Sequence, residues 1–357
     1  MIVIGTDPHK ETFTFALVVA GTGELRSSET VPATTDGFLA VRAWAGRHAD
    51  AEGDAEVVWA IEDCRHVSGR LERFLLACGA RIVRVAPHLM ANARRGGRRR
   101  GKSDEIDAIA VARAAVQEGV DTLPCASLDP DALDLRLLLD HHDDLVQERT
   151  RDQSRLWWHL HELECPVAVP KGGLDRPMWL TRLQRWLARP ERRDQVRVRI
   201  ARALVAELAS ATRQITTLVR EIRDRVRAYR PELLQIVGCG PLTAAKIIGE
   251  TAGADRFRTD AQFARMAGVA PIPVSSGKTD RWRLDRGGNR QLNLALHRIA
   301  VVQGRLHPPA QQYLERKQAE GKNRLEALRC LKRHLARTVL HTMKATNRAP
   351  EPALAAT

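Results

Sequence analysis

Several signals that place a chain in a large functional class are missing from this sequence. Its six cysteines (Cys64, Cys78, Cys125, Cys165, Cys239, Cys330) are scattered over 357 residues with no Cys-x-x-Cys pair. That spacing excludes a zinc knuckle and a disulfide framework, and it fits a reduced, cytoplasmic protein. The twelve histidines form no His-Glu-x-x-His or comparable ligand pattern. Aromatic residues make up only 4%, which leaves few platforms for stacking single-stranded bases. No apolar run approaches the roughly 18–20 residues that span a bilayer. Asp7 interrupts the first apolar stretch, where a secretory signal would continue its core.

Positive charge is abundant and uneven. The chain carries 57 Lys/Arg against 43 Asp/Glu, a net +14. Residues 1–93 hold 9 basic and 12 acidic residues, so the excess lies entirely downstream. An acidic first segment followed by a strongly basic remainder is the electrostatic footprint of a nucleic-acid protein.

The first segment alternates strand and helix patterns. Residues 1–6, 12–20, 25–31, 57–61 and 81–85 read as strands, and 37–48 and 69–78 as helices. That order predicts a layered α/β domain over residues 1–125. Arg94, Arg95, Arg98, Arg99, Arg100 and Lys102 fall within nine residues that also hold three glycines, a basic loop suited to phosphate contacts. Ser103 then caps a helix from Asp104. Two long helical stretches, near 131–163 and 192–228, predict a coiled-coil spacer over 126–230. In the second, Val196, Ile200, Ala203, Leu208, Ala211, Ile215, Leu218, Ile222 and Val226 form a seam. A third domain covers 231–346, with a basic helix near 323–344, and residues 347–357 read as a disordered tail.

Three constellations could carry chemistry. Asp7 and Glu62 close two strands, while Asp104 and Asp107 stand at i, i+3 on one helical face. Carboxylates gathered in one pocket repel unless a divalent cation joins them, and Mg²⁺ suits such oxygen ligands (Mn²⁺ is a substitute). They could equally be polar strand ends and helix-start acids. Next, Leu233–Glu250 places Gly238 and Gly240 between two apolar helical limbs, the pattern of a helix-hairpin-helix that reads DNA backbone through free N–H groups. Finally, Ser275-Ser276-Gly277 leads into Lys278, Arg281, Arg283, Arg286 and Arg290. A serine nucleophile needs a group to take its proton and positive charge to stabilise the transferring phosphoryl.

Taken in order, Asp7-Pro8-His9-Lys10, Glu62, Lys102-Ser103-Asp104 with Asp107, the helical spacer, the Gly-x-Gly turn and Gly268-Val-Ala-Pro…Ser-Ser-Gly-Lys resemble the DEDD insertion-sequence transposases. These are the one-ten family, the bridge-RNA-guided recombinases. Tyr313, Gly321-Lys322 and residues 327–333 continue the family's order. The resemblance implies a RuvC-like, RNase H-type first domain whose Asp7, Glu62, Asp104 and Asp107 hold Mg²⁺. It also implies a C-terminal transposase domain whose nucleophile is Ser276, with Ser275 as the adjacent register. Donor and target DNA, a structured noncoding guide RNA and a homo-oligomer, a dimer assembling to a tetramer with a composite active site, are the partners it implies. The implied place of action is the bacterial cytoplasm, at the nucleoid. Asp63-Cys64 stands where the family has a small residue and a glycine-bearing turn. The residues alone also admit a metal-dependent Holliday-junction endonuclease or a non-catalytic DNA-binding protein.

Overall fold

The computed structural model describes residues 1–345 apart from 54, 63–64, 88, 91–92, 94–102, 128, 190–194, 274–281 and 284–286. It divides into two compact units, Met1–Pro130 with Glu250–Thr357, and Asp131–Gly249. Among the described residues no helix is long and apolar enough to cross a membrane.

The first unit opens with five strands: β1 (Ile2–Pro8), β2 (Thr12–Val19), β3 (Leu25–Pro32), β4 (Val57–Glu62) and β5 (Arg81–Val85). They form one sheet in the order β3-β2-β1-β4-β5. The first three run antiparallel, and β4 and β5 run parallel to β1, a mixed sheet that fits the layered α/β domain expected from the sequence. Alternation of side chains gives the sheet two apolar faces. One, with Ile4, Phe13, Phe15, Trp59 and Ile61, is covered by Phe38, Val41 and Trp44 of α1 (Thr35–Ala51) and Leu71 and Leu75 of α2 (Arg65–Ala77). The other, with Val3, Val58, Ala60 and Val83, is covered by the alanine-rich α3 (Asp104–Glu118). Being buried on both faces, β1 and β4 read as nearly continuous apolar runs ending in a carboxylate.

The second unit holds α4 (Pro130–Glu162), α5 (Pro177–Leu187), α6 (Val196–Tyr229) and most of α7 (Pro241–Thr251). Here the expected seam needs correction. Leu208, Ile215, Ile222 and Val226 are buried, but Val196, Ile200 and Ala203 are exposed, and the buried face starts instead with Val198, Ala201, Leu204 and Val205. The cause is α5, whose Leu180, Leu183, Trp186 and Leu187 pack there with Leu156 and Leu160 of α4. Its pattern was hidden among the prolines and glycines of residues 166–190. The expected helix-hairpin-helix also differs in its first limb. Pro231–Gln235 is a five-residue 3-10 helix, too short for an α-helical limb. Gly238 then takes φ +86° before Pro241 starts α7.

The C-terminal part of the first unit consists of α8 (Asp260–Met266), a two-residue β-ladder of β6 (Ile272–Pro273) and β7 (Trp282–Arg283), then α9 (Arg290–Leu306), α10 (Pro308–Ala319) and α11 (Arg324–Ala345). It docks on the α/β layer beyond the C-terminal end of α3. Arg265 meets Glu118 at 3.2 Å, Gln262 donates to the Thr122 carbonyl at 3.1 Å, and Ser127 donates to the Ala252 carbonyl at 2.6 Å.

Candidate functional site

Strand register and one close helix–strand crossing bring Asp104 and Asp107 to Asp7, and register alone sets Glu62 on the neighbouring strand. In the parallel pairing of β1 with β4, Thr6 lies beside Ile61. One residue further along, Asp7 and Glu62 therefore stand side by side, on the face shared by Gly5 and Ala60, which is the face α3 covers. Gly5 makes that crossing possible. A Cβ there would lie 2.1 Å from the Ala108 carbonyl oxygen and 2.5 Å from the Ala112 nitrogen, so only glycine lets α3 lie this close to β1. The Ser103 hydroxyl caps α3 by accepting from Ile106 N–H. Its first turn is thus fixed with Asp104 at the rim and Asp107 buried beside Asp7.

The electrostatics agree with this crowding. Burial raises the pKa of Asp7 above the usual carboxylate range; His9 pulls it back, and the charges of Asp107 and Asp104 push it up again. His9 lies between two of the acids, with Nε2 3.1 Å from an oxygen of Asp7 and 3.2 Å from one of Asp104. Asp7, His9 and Asp104 each offer an atom within 4.8 Å of the others, close enough to hold one metal ion. His9 was not among the expected ligands. Its signal was adjacency, since it sits two residues past a strand-end aspartate, but a single histidine beside an acid is too common to single out.

The other expected site residues divide sharply. Arg94, Arg95, Arg98, Arg99, Arg100 and Lys102 lie outside the described residues, as do Ser275, Ser276, Lys278 and Arg281 and the departure at Asp63-Cys64. The frame around the serines is described. Pro273 pairs with Trp282, so residues 274–281 connect two paired strands, and Arg283 is exposed on the second. The ladder is rooted where Gly288 crosses Gly268, whose Cα and nitrogen would each be 2.3 Å from a Cβ at position 288. Asn289 locks that root: its side-chain oxygen caps α9 through Leu292 N–H, and its amide donates to Glu250 at 2.6 Å. Gly238 and Gly240 lie in the turn before α7, where Gly240 has open space around it. The carboxylates stand at the first turn of α3, and the C-terminal helices anchor past its last. At 1.5 Å per residue, the two ends of this 15-residue helix are about 20 Å apart.

Comparison with known proteins is consistent with both halves. Residues 4–164 match the DEDD transposase domain of IS110-type elements, and residues 230–315 match the transposase domain described as the IS116/IS110/IS902 family. The 42 kDa protein of insertion element IS900 from Mycobacterium paratuberculosis is 26% identical over 321 residues, covering 78% of this chain and 80% of its own. The 44.8 kDa protein of IS116 from Streptomyces clavuligerus is 26% identical over 326 residues, with the same coverage of both chains. Among solved structures, Thermus thermophilus RuvC in complex with a Holliday junction substrate aligns with a TM-score of 0.25 and 15% identity, over 33% of this chain and 96% of that one. Two family domains in the family's order, joined by a helical unit and shared with insertion-element proteins over most of the length, settle the classification: this chain belongs to the IS116/IS110/IS902 family of transposases.

Proposed function

We propose that this transposase cuts and rejoins DNA through a covalent phosphoserine link formed by Ser276, assisted by a divalent metal, Mg²⁺ in the first instance, held by Asp7, Glu62, Asp104 and Asp107. The observation that carries the reading is the meeting of Asp7 with Asp104 and His9 within 4.8 Å, with Asp107 close enough for its charge to act on Asp7. The charges of Asp107 and Asp104 push up the pKa of buried Asp7, and a hard cation with oxygen ligands relieves that repulsion. When bound, such a metal supplies charge stabilisation for attacking and leaving phosphodiester oxygens. The chain's own groups do the rest: Gly5 sets the helix spacing, Ser103 fixes the first turn, and His9 ties Asp7 to Asp104.

The serine segment is carried on a ladder rooted by glycines, with Arg283 on its second strand and Lys278 and Arg281 within it to meet phosphate charge. Chain connectivity supports a site completed by a second copy, because the C-terminal helices anchor at the end of α3 away from the acids. Exposed Leu137, Trp157, Trp158, Val196 and Ile200 on the helical unit supply apolar surface for such an assembly, a dimer and then a tetramer. The basic segment 94–102 and the turn at Gly238 and Gly240 add backbone contacts. Sequence choice would come from a structured noncoding guide RNA that pairs with donor and target DNA.

The test is a cleavage assay with labelled donor and target DNA and RNA transcribed from the flanks of the gene. Strand exchange should need both RNA and Mg²⁺ and should vanish in Asp7→Ala. Cleavage that proceeds without RNA, or that survives chelation and Asp7→Ala, contradicts the proposal. RNA-independent, metal-dependent cutting of four-way junctions would make the protein a junction nuclease instead.

A further inference from the structure

The cavity of about 820 Å³ beside the serine-bearing ladder has no role in the chemistry above. Its size is that of a small-ligand or nucleotide site. One wall is the root of the ladder, including Pro271 and Arg283; the others are α10 and α11. Cations dominate its lining, with Lys322, Arg329, Lys332 and Arg333 joining Arg283. Among the described residues its one lining carboxylate, Glu326, is already engaged, accepting from Asn323 N–H at 2.9 Å to cap α11.

Lys332 is the unusual member. Lysines are almost never fully buried unless paired, yet Lys332 is only 6% exposed. Its Nζ donates to Asn293 Oδ1 at 2.5 Å. Among the described residues no carboxylate pairs with it, and that bond uses one of an ammonium's three donors. Asn293 cannot turn away, because its own amide donates to the carbonyls of Ala267 and Gly268 at 2.9 and 3.0 Å. Those carbonyls belong to the root of the serine segment. Among the described residues, this buried cation with spare donors faces a basic cavity without an anion.

We propose that this cavity seats one backbone phosphate of the DNA strand presented to the serine segment, with Lys332 as the contacting cation at its floor and Asn293 as the positioning residue that aims it. The identification of the strand as DNA rests on the function proposed above; the anion site itself rests on the cavity. Burial pushes the Lys332 ammonium down to about 8, and neighbouring Arg329 pushes the same way. Binding phosphate therefore requires the protonated form and weakens as pH rises through that value. Among the described residues, the groups facing it are His297 on α9, Arg329 with Glu326, Cys330 and Arg333 on its own helix, and Tyr313 and Lys317 across the cavity on α10. His297 is lowered from 6.5 and Tyr313 raised from 10, so neither titrates between pH 7 and 9. From α8, Asp260 meets α11 further along, at Arg337 and His341.

The experiment measures affinity of the full chain for a fluorescent DNA duplex of about 30 base pairs by anisotropy, in EDTA so that no cleavage occurs. Wild-type affinity should fall about tenfold between pH 7 and pH 9, as the competent fraction drops. Lys332→Met should bind about tenfold more weakly at pH 7 and lose that pH step. Its slope of log affinity against log salt should be shallower by about 0.9, the value of one phosphate contact. Asn293→Asp, which places a carboxylate against Nζ, should weaken DNA binding too. A flat wild-type profile, or a Lys332→Met protein with wild-type slope and pH dependence, overturns the proposal. So does a loss confined to a matching RNA probe. A Ser276→Ala protein that still exchanges strands would refute the function proposed above while leaving these binding results intact.

Discussion

Replacing Gly5 with alanine tests the link between fold and site most sharply. The added methyl would sit 2.1 Å from the Ala108 carbonyl oxygen and 2.5 Å from the Ala112 nitrogen, both backbone atoms of α3. Ordinary contact begins near 3.4 Å, so the helix must retreat by roughly 1 Å or tilt, because neither partner is a flexible side chain. Overpacking of this kind costs about 3 kcal/mol where backbone must move. A cost of that size lowers the melting temperature by about 4 °C for a chain this long. Asp104 and Asp107 travel with the helix, so the carboxylates should also separate from Asp7 and Glu62. Differential scanning fluorimetry with and without Mg²⁺ reads both effects: a lower melting temperature, and loss of the stabilisation that Mg²⁺ gives the wild type. A Gly5→Ala protein that melts like the wild type and responds equally to Mg²⁺ would refute the claim that this crossing builds the site.

Three further outcomes follow from particular contacts. Because the Asp7 pKa is raised, its share of stability is full below the ordinary carboxylate value of 3.8 and is lost as pH rises through the folded value. Asp7→Asn in EDTA should therefore melt higher than wild type at pH 7 and alike at pH 3, and a lower melt at pH 7 would show the acid is not under strain. Asp143 is held down to about 2, first by the His142 hydrogen bond and then by Lys246, which lies 2.7 Å away. Asp143→Asn should destabilise the helical unit above pH 4, with the deficit shrinking as pH falls towards 2; a pH-independent deficit in chemical denaturation would contradict the pairing. Leu183 is fully buried between α5 and the first half of α6. Leu183→Ala should cost about 2–5 kcal/mol, whereas Ile200→Ala, on the exposed side, should change monomer stability little; the reverse order in urea titrations would restore the seam read from sequence.

Much of the α/β layer was legible because its signals are local. The strands of the sheet alternate or run apolar to a carboxylate, and the face of α1 repeats at helical spacing. Asp104 and Asp107 were legible as a pair for the same reason. Their meeting with Asp7 was not, since it depends on strand register and on Gly5 touching a helix about a hundred residues later. Helix α5 is hidden in the sequence because Pro166, Pro170, Gly172 and Gly173 frame it as loop, and the apolar pattern of α6 does not contain the neighbour that selects its buried side. Lys332 looked like one more cation on a basic helix. Only packing against Asn293 and the ladder root distinguishes it from the exposed arginines around it.

The central claim is that Ser276 becomes joined to DNA while the acids of β1, β4 and α3 assist. A denaturing gel after incubation with labelled donor and target DNA, flanking RNA and Mg²⁺ tests it directly. The account predicts a DNA–protein adduct that persists in Ser275→Ala and disappears in Ser276→Ala and in Asp7→Ala. Cleaved DNA without any adduct, still produced by Ser276→Ala, would contradict it.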